Sequence, residues 1–116
     1  MSENVIFFGW NQAIQGREKM SADHFVEFVE FLTGLQKKGT IQSFDPVFLD
    51  FHGGDMNGFF LIKGEGKKLE GLTDSEDWIR HTTRASFHLQ GFGIVRGVTG
   101  DVLNERMQLW TKNIPD

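Results

Sequence analysis

The sequence predicts an α+β domain in which a four-stranded antiparallel sheet carries its helices on one face. Three observations lead there. Short β-branched and aromatic runs alternate with helical stripes in the order β-α-β-β-α-β. Two of the strand runs, Val5 to Trp10 and Phe59 to Ile62, are apolar at every parity, as central strands are. The run between them contains Pro46, which cannot donate a ladder hydrogen bond and so marks an edge.

Each element has its own warrant. Val5-Ile6-Phe7-Phe8-Gly9-Trp10 is too short and too aromatic for a helix. Period two puts Val5 and Phe7 on one face and Ile6, Phe8 and Trp10 on the other. Between Arg17 and Lys38, Phe25, Phe28, Leu32 and Leu35 recur at three- and four-residue steps, which makes a helix. Ser21 is a candidate N-cap and Gly39 a candidate terminator, with Lys37-Lys38 suiting the negative helix end. Ile41 to His52 reads as the second strand, joined to Phe59-Phe60-Leu61-Ile62 by a turn of about five residues around Gly53-Gly54-Asp55. Lys67 to Leu72 suits a short helical turn. Thr73-Asp74-Ser75-Glu76 then matches a capping box, predicting a helix from about Asp74 to Arg84 with Trp78, Ile79 and Ala85 inward. Phe87 to Val98 reads as a fourth strand, broken near Gln90-Gly91. Leu103, Met107, Trp110 and Ile114 form the stripe of a last helix that opens at Gly100-Asp101 and stops at Pro115.

Residues 1–116 thus make a single domain of the ferredoxin-like, split-βαβ plan with a C-terminal helix added. Right-handed crossovers place both main helices on one sheet face. The opposite face then keeps an aromatic patch at either register. A second copy, stacked sheet to sheet, would bury it in a symmetric homodimer. The composition points the same way. Nine of the 12 Phe residues, Phe51, Phe87 and Phe92 among them, fall on expected strands, and Tyr is absent.

Composition also excludes several function classes. The absence of Cys removes disulfides, thiolate metal sites and cysteine nucleophiles. A net charge of −4 disfavours nucleic acid and anionic membrane as partners. The alternative to a small-molecule site is a non-catalytic homodimer whose sheet face serves only self-association; single-stranded RNA binding is a third use of such a fold plan, since aromatics on central strands can stack bases. No basic patch flanks those strands. With no apolar run of about 18 residues and no signal-peptide pattern at Met1 to Asn4, the expected location is cytoplasmic. Gly64-Glu65-Gly66 lacks the rest of a dinucleotide fingerprint, and no P-loop or His-Glu-x-x-His helix occurs, so no cofactor is expected.

The candidate site residues fall in two groups. Asp50 and His52 are two apart on the expected second strand, with Asp55 in the turn after it. Imidazole and carboxylate within reach can act as a general-base pair. The same residues also suit a solvated strand end and turn. On the first helix His24 is the catalytic candidate. Trp10, Asn11, Arg17, Trp78 and His81 are the candidate ligand-binding residues, with packing as the alternative role of both tryptophans. His81 and His88 have no partner at ligand spacing along the chain. A small aromatic or acidic ligand in a cleft between sheet and helices is the expected occupant.

The pattern resembles the dimeric α+β barrel superfamily, and within it the YCII-related group. The likeness rests on His24-Phe25 followed by Phe28, Leu32, Leu35 and Gly39, and on Asp77-Trp78 in the second helix. It implies a homodimer paired through the sheets, and an active-site His/Asp pair to which His24 would supply the histidine. Arg80 to Ser86 stands where that group carries an Asp-Pro motif, and the helix after Asp101 is additional. The layout matches over residues 4–99. Some dimeric α+β barrel enzymes handle aromatic polyketides or haem with Asn, Trp and His beside the sheet, for which Asn11, Trp78 and His81 are the counterparts by residue type.

Overall fold

The computed structural model describes residues 2–116. Strand β1 (Val5–Trp10) is followed by the two-residue β2 (Gln12–Ala13) and helix α1 (Glu18–Lys38). A hairpin of β3 (Ser43–Phe48) and β4 (Gly58–Lys63) leads to α2 (Gly66–Thr73) and α3 (Glu76–Ser86). The two-residue β5 (Leu89–Gln90), β6 (Gly93–Gly97) and α4 (Gly100–Lys112) complete the chain. The main sheet is antiparallel in the order β3-β4-β1-β6, and β2 pairs with β5 in a small second sheet. This is an α+β arrangement compatible with a ferredoxin-like plan. β1 and β4 are central and Pro46 lies on an edge strand, as their composition requires.

The register assigns the faces. Ile6, Phe8, Phe60 and Ile62 point to the helices and are almost fully buried against Phe28 and Leu32 of α1, Leu69 and Leu72 of α2, and Trp78 and Ala85 of α3. Phe8 stacks on Phe28 with ring centroids 4.8 Å apart and meets Phe60 and Trp78 edge-on. The outward face holds Phe7 and Phe59, stacked at 4.9 Å, with Val47, Leu61 and Val95 around them. That patch is smaller than the sequence suggests. Trp10, Phe44, Phe48 and Phe60 share the helix-covered parity, and Phe51, Phe87 and Phe92 lie outside strands.

Several boundaries move for local reasons. α1 starts at Glu18, so Ser21 is inside its first turn and not its cap. Gly39 closes α1 at φ 79°, in the left-handed region where glycine carries no Cβ penalty. β3 stops at Phe48, and Leu49 to Asn57 form a longer loop than the expected turn. Thr73 does not cap α3. It ends α2 and donates its hydroxyl to the Glu70 carbonyl, while Ser75 Oγ accepts from Trp78 N at 3.2 Å. The fourth strand divides at Gly91, φ 66°, whose backbone passes against Asn11. α4 forms as expected, but no residue of it is buried. Among the described residues no helix is long and apolar enough to cross a membrane.

Candidate functional site

Helical spacing builds one polar row into an otherwise apolar interior. On α1, Ser21, His24, Phe28 and Leu32 follow at steps of three and four, so Ser21 and His24 extend the core stripe towards the helix start. On α3, Trp78, His81 and Ala85 follow at the same steps, and His88 continues the row just beyond the helix end. The two rows face each other and bring three of the four histidines together.

The contacts form a chain. Ser21 Oγ lies 2.6 Å from His88 Nδ1. His88 Nε2 lies 2.7 Å from His24 Nδ1, and His24 Nε2 lies 2.9 Å from His81 Nδ1. The His24 and His88 rings are nearly perpendicular, at 84°, whereas the His24 and His81 planes differ by 5°. Phe31 stacks on the outer His81 ring at 4.5 Å. His24 and His88 are buried, while Ser21 and His81 are partly exposed.

A neutral imidazole has one donor and one acceptor nitrogen, so this row can be satisfied without any charge. Two arrangements do so. Protons can point from Ser21 through His88 and His24 to His81, or every one can point back. Either direction changes all three tautomers together. Burial is the leading reason that all three rings hold protons less readily than a free histidine, and the Arg84 guanidinium comes next. His24 falls to about 4. Arg84 itself donates to Glu27 Oε2 across α3 and α1, and that bond holds the Glu27 carboxyl below its usual range.

A cavity of about 410 Å³ opens at the inner end of this row. Ser21, His24 and His88 form its polar side, and Phe8, Trp10, Phe25 and Phe60 supply apolar walls. Its size falls within the usual range of ligand pockets. Trp10 is held partly by Gly58, where an added Cβ would sit 2.5 Å from the Trp10 ring. His81 is not among the cavity walls, so the row leads away from the cavity. The ring nitrogens of His24 are directed at two different histidines, and no metal-binding group of His, Asp or Glu is found among the described residues.

The other predicted residues are distributed elsewhere. Asp50, His52 and Asp55 are exposed in the β3–β4 loop, and His52 Nδ1 donates to the Asp50 carbonyl at 2.9 Å. The shared strand face expected for Asp50 and His52 is therefore absent, because β3 ends before them. Asn11 is a structural pin: its Oδ1 accepts from Asn57 Nδ2 at 2.7 Å and its backbone N–H donates to Gln90 O. Arg17 flanks the start of α1 and its guanidinium donates to the Phe87 carbonyl. Trp78 is core, 3% exposed, and does not line the cavity. Trp10 does line it, and His24 and His81 are linked. His88 and Ser21 are the additions that sequence spacing within single elements does not reveal. His81 and His88, which have no partner at ligand spacing along the chain, both bond to His24 across the fold. No known protein family, curated protein or solved structure matches this chain.

Proposed function

We propose that the protein takes up a small aromatic molecule bearing one exchangeable proton and moves that proton along the histidine row. The observation that carries this is the meeting of Ser21, His24 and His88 at the polar side of an aromatic-walled cavity. Aromatic walls supply area and stacking. The buried polar row fixes which end of the ligand turns inward, because leaving those groups unpaired would be costly. Neutral rings suit a hydroxyl or similar donor.

The transfer balances in a simple way. A ligand hydroxyl, taking the place of the Ser21 hydroxyl beside His88, gives its proton to His88 Nδ1. His88 passes its Nε2 proton to His24 Nδ1, and His24 passes its Nε2 proton to His81 Nδ1. The excess positive charge then resides on the partly exposed His81, where solvent accepts the proton. This is general-base work by His88, with His24 and His81 as the conduit. It develops the resemblance to the YCII-related group in one respect: His24 is central, but its partners are histidines in place of an aspartate.

The proposal includes self-association through the outward sheet face. Phe7, Phe59, Leu61 and Val95 form an apolar patch on that face, and pairing of identical patches is the symmetric solution.

Titration with 1-naphthol tests the ligand reading. Saturable binding, with movement of the His24 and His88 ring resonances and none of His52, is expected. Ala22→Trp, which puts an indole at the cavity wall, should weaken it at least tenfold, and Ile79→Trp on the exposed side of α3 should not. Absence of ring-resonance shifts at saturating 1-naphthol, or unchanged binding to Ala22→Trp, sinks the reading.

A further inference from the structure

We infer that α4 is an exchanged arm whose apolar stripe is covered by a second copy of this chain. The inference rests on the self-association just proposed and adds the element that secures it.

Three observations carry it. The first is the stripe. Leu103, Met107 and Trp110 of α4, with Ile114 just past its end, recur at steps of four, three and four, yet are 42%, 49%, 63% and 51% exposed. A helix of 13 residues with one apolar side and nothing buried lacks the layer that such helices are built to meet.

The second observation is the joint. Thr99 N donates to Asn4 Oδ1 at 2.9 Å, and Asn4 Nδ2 donates to Thr99 O at 3.1 Å. Gly100 then takes φ 63°, which a residue with a side chain rarely adopts. The direction in which α4 leaves the sheet is therefore set by a two-point clasp and a glycine corner. It projects as a rod about 20 Å long, at 1.5 Å per residue.

The third is area. The chain exposes 7578 Å², whereas a compact monomer of its mass exposes about 6,400 Å². Its radius of gyration is 15.9 Å against about 13.4 Å for a compact domain of this length. The excess of about 1,200 Å² exceeds the roughly 800 Å² that each partner buries in a standard stable interface.

A second copy is the occupant that these facts favour. The same chain displays a projecting apolar helix and, on its sheet, a solvent-facing apolar surface. Exchange of arms about the two-fold axis of the sheet pairing gives each projecting stripe a cover on the partner copy, and it closes without leading to a filament.

Trp110 gives the test a direct reporter, because Trp78 is buried in the core and Trp10 lines the cavity. Light scattering after size exclusion should show a dimer for the full chain at micromolar concentration. The emission lost in Trp110→Phe should be that of a buried indole in the dimer and should move to the red on dilution. Full-length Met107→Glu/Trp110→Glu should weaken dimerisation at least 100-fold while keeping the native circular dichroism of the sheet domain. A dimer that persists in that variant, or in which the Trp110 emission stays that of exposed indole, overturns the arm but leaves sheet pairing standing. A monomeric wild-type chain overturns both, and its adsorption to lipid vesicles would identify the stripe as a membrane contact.

Discussion

Acidification from about pH 7.5 to about pH 5 is expected to cost the fold about 2 kcal/mol through His24 alone. Burial first, then Arg84, His88 and His81, lower this ring from the ordinary 6.5 to about 4. In the unfolded chain it takes up a proton as the pH falls through 6.5, but in the folded chain it stays neutral until about 4. The unfolded state therefore binds the extra proton inside that window, and stability declines there. The contribution is intact above 6.5 and lost by about 4. Each pH unit inside the window is worth about 1.4 kcal/mol, which sets a ceiling of about 3 kcal/mol at its foot. His81 and His88 are lowered as well, by burial and then Arg84, and act in the same direction. Urea unfolding followed by tryptophan emission measures the effect, and the midpoint should fall by roughly 1 M over the stated range. His24→Gln removes the titrating ring and should flatten the slope by the same amount. A level wild-type midpoint, or an unchanged slope in His24→Gln, would refute the reasoning.

Three further outcomes follow from the packing. Phe28→Ala should destabilise by about 3 to 5 kcal/mol in urea, because Phe28 is 2% exposed and stacks between Phe8 and its edge-on neighbours. Ser75→Ala should cost about 1 kcal/mol by freeing the Trp78 amide, whereas Thr73→Ala should change stability much less. Gly58→Ala should push the Trp10 ring into new space and lower 1-naphthol affinity by about tenfold or more, equivalent to about 1.4 kcal/mol, as read by the same titration.

Much of the fold was legible because the relevant signals are local. Pro46 can sit only where no ladder partner is needed, and β3 is an edge. Phe59 to Ile62 is apolar on both faces, and β4 is central. The cap of α3 was misplaced by two residues because Thr73 and Ser75 are both competent acceptors, and the end of α2 consumed the first. Half of the site was legible in the same way: His24 and Trp10 lie on identifiable elements. The rest depends on how α1 docks against α3. His24 and His88 are 64 positions apart, so no spacing within one element pairs them. The available signal was the continuation of the Trp78, His81, Ala85 row to His88. It was hidden because Phe87 and His88 resemble the start of a strand. Asp50 and His52 show the converse, since proximity along the chain suggested a pair on a strand face, whereas in the loop His52 bonds the Asp50 backbone carbonyl.

The central position of β1 has a consequence for how this chain is made. Its two neighbours are β4 and β6, and the Asn4–Thr99 clasp spans 95 positions. During synthesis β1 leaves the ribosome well before β6 and must wait for it before both its edges are paired. Until then Val5-Ile6-Phe7-Phe8 presents an open, uncharged edge of the kind that pairs with other chains. Folding is accordingly slow for the chain's size, governed by closure of its longest loop. Yield in the cell should depend more on temperature and on holdase chaperones than the finished sheet would suggest.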